Sequence, residues 1–147
     1  MSNSTAVTPR ITDRVKRILT MAAETARSRH EQAARAEDML LAMLTEGGGL
    51  ACAVLHRLGA NPVSLAEGLR GALRLHGEPH VPISELIVAA GREAKVLGHS
   101  YVGTEHLLIG IARADSTVPG RLLAGHGVTA ETAAATTAEL LGRELGR

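Results

Sequence analysis

Residues 97–111 read LGHSYVGTEHLLIGI: a turn-forming, polar head running straight into an aliphatic tail. Gly98 is placed to end one helix. Thr104 reads as the N-cap of the next, its hydroxyl accepting from an orphan amide of the first turn. Glu105 follows in that turn, where a carboxylate favours the positive end of the helix dipole. The stretch therefore reads as helix, short turn, helix.

The same pattern stands 68 residues earlier without a gap. Leu19 falls on Ile87, Ala22 on Ala90, Ala26 on Ala94 and Ala34 on Val102. Glu37 falls on Glu105, Leu40 on Leu108, Leu41 on Ile109, Leu55 on Leu123 and Gly59 on Gly127. Apolar positions map onto apolar ones, and a helix-stopping glycine maps onto a glycine. Helical periodicity predicts helices from Thr12 to about Arg29, over Glu37–Thr45 and Leu50–Leu58, and from Pro62 through PVSLAEGLRGAL. Their second-half counterparts are expected near 83–97, 104–112, 117–124 and 129–145. The fold class is thus all-α, a pseudo-twofold bundle of eight helices built from two four-helix repeats. Residues 1–10 read as a flexible tail, 11–73 as the first repeat, 74–82 (RLHGEPHVP) as a turn-rich linker and 83–147 as the second repeat, all in one compact domain.

Composition agrees with close-packed helices. Of 147 residues 45% are apolar, yet there is no Phe or Trp and one Tyr, so the core falls to Leu, Ala, Val, Ile and Met. The 14 Arg and 2 Lys are scattered and the net charge is +1; no basic stripe of the kind nucleic acid requires is visible. Cys52, the single cysteine, excludes an internal disulfide and fits a reducing cytoplasm. No apolar run approaches the length of a membrane span, and the leader MSNSTAVTPR has no hydrophobic region of a secretory signal. A cytoplasmic protein with no nucleic-acid or membrane partner is expected.

Catalytic patterns are missing. There is no G-x-x-x-x-G-K-[ST] phosphate loop and no G-x-S-x-G elbow. Cys52, inside LACAVLHRL, reads as a small buried hydrophobe rather than a nucleophile. A metal site would need His99, Glu105 and His106 to converge, but their spacing matches no standard zinc pattern, and surface or capping roles are expected for these histidines. No cofactor or metal is assigned. What local capping leaves unexplained is Glu37. Arg35 and Ala36 stand where Gly103 and Thr104 do, and Asp38 replaces His106, so the carboxylate recurs where the other cap features are gone. That recurrence points to a task beyond capping.

LGHSYVGTEHLLIGIARADSTVPGRLLAGHGV closely resembles the second repeat of the Clp N-terminal (Clp repeat) domain, the double-repeat module that fronts ClpA- and ClpC-type AAA+ unfoldases. ITDRVKRILTMAAETA resembles the family's opening, and HVPIS resembles the inter-repeat segment of actinobacterial ClpC. The likeness covers residues 11 to about 142. It implies binding rather than catalysis, by a freestanding actinobacterial Clp-N protein or by the substrate- and adaptor-docking part of a longer ATPase. The leader and the absence of a tag fit the freestanding form.

In ClpC-type domains each repeat offers a phosphoarginine pocket that pairs the Glu of G-T-E-H with a Thr capping the repeat's first helix. The resemblance implies Thr12 and Glu37 in the first repeat. In the second it implies Glu105 with either His80 or Ser84, and Ser84 would be a competent N-cap. Chemically, a carboxylate suits a guanidinium, and a hydroxyl with helix N-terminal amides suits a phosphate. Cyclic peptide antibiotics bind an apolar patch near the same linker, here His80, Pro82 and Ile83, with Ile83 in place of a family phenylalanine. The partners implied are arginine-phosphorylated or unfolded proteins, cyclic peptides, and Clp ATPases or adaptors.

Overall fold

The computed structural model describes residues 10–75 and 81–144. The first repeat contains α1 (Asp13–Ser28), α2 (Ala36–Glu46), α3 (Leu50–Arg57) and α4 (Pro62–Leu73). The second contains α5 (Ile83–Val96), α6 (Thr104–Arg113), α7 (Val118–Gly125) and α8 (Ala130–Glu144). These are the eight helices expected from periodicity. Two short extended pieces were not anticipated: β1 (Arg10–Ile11) pairs in parallel with β2 (Tyr101–Val102), with Arg10 opposite Tyr101.

Helix ends follow local chemistry. Thr12 caps α1, its hydroxyl accepting from the Val15 amide. Asn61 does the same for α4 through the amides of Val63 and Ser64, with Pro62 at the first position, where its missing N–H is harmless. The turn after α5 uses Gly98 at φ +78°, and its counterpart after α1 is His30 at φ +64°. The same left-handed stop is therefore made once by the residue that suits it and once by one that does so under strain.

The repeats interlock rather than sit side by side. Within each, the first helix packs on the second and the second on the fourth; across the dyad, α3 lies on α6 and α8, and α7 on α2 and α4. The second helices of both repeats are thereby central. Met39, Leu40, Met43, Leu107, Leu108 and Ile109 are at most 1% exposed, each stabilising by roughly 1.5–3 kcal/mol over exposure. One continuous core holds the aliphatics of both repeats.

The interlocking corrects the reading of Thr104. It is the first residue inside α6, with Gly103 in the N-cap position. Its hydroxyl instead accepts from the Ala51 amide, 3.1 Å away in the first turn of α3. Helix α3 has Gly49 at its own N-cap and no side-chain cap of its own. The pseudo-equivalent pair is exchanged: Ala36 stands where Thr104 does, and α7 is capped by its own Thr117. Each repeat thus satisfies the same orphan amides from a different source. A side chain at Gly49 would crowd Thr104 and Arg14, and one at Gly48 would collide with the Arg14 guanidinium, which grips both oxygens of Glu46 at 2.6 and 2.8 Å. The EGGG segment is therefore a close approach as well as a helix stop.

Candidate ligand-binding site

The two carboxylates that recur in register, Glu37 and Glu105, both lie second in their helices, α2 and α6, and are 2% and 4% exposed. Around Glu105 the opening stretch folds into one cluster. The Tyr101 hydroxyl donates to Glu105 Oε2 at 3.1 Å. Gly103 leaves room for this, because a Cβ there would meet Glu105 Oε1 and the carboxylate would have to shift. The Gly103 amide donates to His106 Nδ1 at 2.9 Å, and His106 Nε2 faces His99 Nδ1 at 2.8 Å. The three rings of His99, Tyr101 and His106 are in mutual contact, with His99 stacked on Tyr101 at 5.3 Å.

His99 is half-buried, and the capping role expected of these histidines falls to His106. His106 is fully buried and caps its helix from the third position. Because Nδ1 accepts an amide proton, the neutral ring carries its proton on Nε2 and donates it to His99. Burial, with His99 alongside, pushes the His106 pKa down from 6.5 to about 4. Ligand atoms of His99, Glu105 and His106 do converge within 4.8 Å, contrary to the spacing-based expectation. They are engaged with one another, however: His106 can offer Nε2 to a metal only by surrendering its amide bond or becoming an imidazolate. The donor set suits a hydrogen-bond network better than a cation.

The first repeat builds the same place from opposite chemistry. Asp38 occupies the position of His106, and its Oδ2 accepts from the Arg35 amide at 2.9 Å. The cap expected to be gone is present with a carboxylate in place of an imidazole. Glu31 occupies the position of His99, and Arg29 bridges the two acids, bidentate to Asp38 at 2.6 and 2.9 Å and to Glu31 at 3.3 Å. The Arg35 guanidinium closes on Glu31 and on the Leu75 carbonyl. The hydrogen bond to Asp38 raises the Arg29 pKa above its ordinary value. Burial pushes Glu31 up, but its bonds from Arg29 and Arg35 outweigh that and hold it below the usual carboxylate range.

Glu37 shares none of this. Ala33 stands where Tyr101 does, so no phenol reaches it. Arg35, with its Cβ, stands where Gly103 leaves room, so a carboxylate folded back as Glu105 is would meet that Cβ. Among the described residues Glu37 Oε1 is one of two buried side-chain polar atoms without a hydrogen-bond partner, the other being Thr137 Oγ1.

The expected pairing of Thr12 with Glu37 within one repeat is corrected by the topology. The Thr12 amide donates to the Val102 carbonyl at 3.1 Å, so α1 starts beside the loop that leads into Glu105. A cavity of about 570 Å³ opens there, lined by Arg10, Thr12, Asp13, Lys16, Ser100 and Tyr101 among others. The start of α5 lies beside Glu37 instead, through a bridge between Arg35 and Pro82. Pro82 is the N-cap of α5, so Ser84 is not; a proline's preference for extended backbone places it there. Ser84 is exposed one residue inside the helix, Pro82 is exposed and Ile83 is half-buried. His80 lies outside the described residues. Sequence reading missed Tyr101, Arg10, Lys16 and Ser100; the lone tyrosine four residues before Glu105 was the available signal for the first.

Residues 10–126 and 78–145 match the family model of the Clp repeat (R) N-terminal domain. The chain belongs to this family. It is 32% identical over 139 residues to a "Chaperone protein ClpB" of Oceanobacillus iheyensis and 31% identical over 141 residues to "Negative regulator of genetic competence ClpC/MecB" of Bacillus subtilis. Each alignment covers 90% of this chain and 17% of the relative, so the chain spans about a sixth of the length of those curated relatives. A solved structure from work on a malarial protein secretion system superposes with a TM-score of 0.75 at 16% identity, over 91% of this chain and 96% of the other; it supports the fold alone. The two family-model matches together span both four-helix units, and the G-T-E-H signature lies at the start of α6. No single helix among the described residues is long and apolar enough to cross a membrane.

Proposed function

We propose that this Clp N-terminal domain is a non-catalytic recognition module of the Clp unfoldase–protease system, binding phosphoarginine-type side chains on marked proteins at two crosswise sites. One site joins Glu105 to the start of α1, with Thr12; the other joins Glu37 to the start of α5, with Ser84. The observation that carries this reading is the pairing of a buried carboxylate with a helix N-terminus contributed by the other repeat. A guanidinium supplies donors to the carboxylate, and the attached phosphate faces helix amides and hydroxyls. At the Thr12 site Arg10 and Lys16 add positive charge to the cavity wall.

The exposed Pro82 and half-buried Ile83 support a second use, holding a cyclic peptide antibiotic beside the linker and so acting as a decoy for the unfoldase. Without an aromatic side chain that patch offers area but no stacking. A docking role for adaptors or unfolded substrates of a Clp ATPase uses the same surfaces. Isothermal titration of the full chain with a phosphoarginine peptide, with the same peptide bearing plain arginine, and with cyclic peptides tests these readings. Heat with the phosphorylated peptide and not with its plain-arginine counterpart is expected. Equal binding of plain arginine refutes the phosphoarginine reading, and silence with every ligand refutes the recognition role.

A further inference from the structure

We infer that the two sites are unequal: Tyr101 acts as a latch that occupies Glu105, leaving Glu37 as the carboxylate ready to take a ligand cation. This deepens the phosphoarginine reading and rests on it for the identity of the ligand. The latch itself rests on geometry.

Three observations meet here. The Tyr101 hydroxyl already donates to Glu105 Oε2, and the same tyrosine walls the cavity beside Thr12. A guanidinium arriving through that cavity must displace the phenol before it can form a bidentate pair with Glu105. At the pseudo-equivalent place Ala33 carries no hydroxyl, and Glu37 Oε1, in a side chain 2% exposed, has no partner among the described residues. A buried carboxyl oxygen without a donor is disfavoured by its lost hydration, so a ligand that supplies the donor gains there what it cannot gain at Glu105. The flanking helix ends differ in the same sense. The first turn of α1 is already capped by the Thr12 hydroxyl, whereas no described side chain caps α5, whose Ser84 hydroxyl is exposed. The Glu37 site therefore holds an unpaired buried acceptor for the guanidinium and, for the phosphate, amides at the start of α5 that no described side chain caps.

Displacing a hydrogen bond to a charged group weakens the Glu105 site by roughly tenfold or more. Titration of the full chain with a phosphoarginine peptide should accordingly show one strong equivalent, lost in Glu37→Gln and retained in Glu105→Gln. Tyr101→Phe should bring the second equivalent up by on the order of tenfold. Two equal sites in the wild type, or loss of the strong site in Glu105→Gln alone, overturns the inference while leaving phosphoarginine recognition standing. Thermal unfolding without ligand separates the two claims if no peptide binds. Tyr101→Phe should lower Tm by a few degrees, and Glu37→Gln should leave it unchanged or raise it. An unchanged Tm in Tyr101→Phe, or a drop in Glu37→Gln as large as that in Glu105→Gln, refutes the latch.

Discussion

His106 makes the stability of this domain depend on pH in a window set by its burial. The ring is 0% exposed, accepts the Gly103 amide on Nδ1 and donates from Nε2 to His99. A second proton would have to go on Nδ1, facing the Gly103 N–H with no acceptor between them. In the unfolded chain the ring takes a proton below about pH 6.5; in the folded one it does so only below about 4. Between those values the unfolded state holds more protons, so stability rises with pH across the window and is lost as pH falls from 6.5 to 4. The difference is worth about 3 kcal/mol, a sizeable part of a typical domain stability of roughly 5–15 kcal/mol.

Replacing His106 with Asn keeps an oxygen able to accept the Gly103 amide and removes the titration. Urea unfolding of both proteins at pH 7, 6, 5 and 4 should show the wild type ahead at pH 7, through better packing, with its advantage shrinking by about 3 kcal/mol by pH 4. Ring ¹⁵N shifts in the wild type should report a neutral Nε2–H tautomer of His106 down to about pH 5. Parallel stability profiles, or a His106 titration midpoint near 6.5, would refute the buried capping role.

Three substitutions probe the features that distinguish the repeats. Thr104→Ala should lose about 1 kcal/mol and speed hydrogen exchange at the Ala51 amide in the opposite repeat, while Thr104→Ser should preserve both; an effect confined to α6 amides would contradict the cross-repeat cap. Asp38→Ala removes the partner of both the Arg29 guanidinium and the Arg35 amide, and its side chain is 0% exposed. About 3–5 kcal/mol should be lost in urea unfolding, with Asp38→Asn losing less because it can still accept from the amide. His30→Gly, at φ +64° and exposed, should gain roughly 0.5–1 kcal/mol, as relief of the left-handed backbone exceeds the added entropy of the unfolded chain. A loss of stability there would mean that the His30 side chain holds a contact that outweighs its backbone.

Helix positions were legible because each obeys a local rule: Thr12 and Pro62 mark helix starts, and Gly59 at φ +78° and Gly127 at φ +79° end equivalent helices. The 68-residue offset holds for buried positions such as Leu40 and Leu108, since a core face tolerates little change. The cap of α2 was illegible for the opposite reason. An imidazole at 106 and a carboxylate at 38 accept the same amide, and each demands different company: His99 and Tyr101 for the one, Arg29 and Glu31 for the other. Nothing in residue types at a single position announces that equivalence.

The linear order of residues, then, was enough for eight amphipathic helices, their duplication, and the two carboxylates that recur at the helix starts. These depend on interactions within a few residues of each other, so spacing reveals them. The partners of those carboxylates depend on contacts between distant segments. Thr12 lies at the loop before Glu105, Pro82 at the start of Glu37's helix, and the Thr104 hydroxyl on Ala51, because the hairpins exchange across a pseudo-dyad that no local pattern encodes.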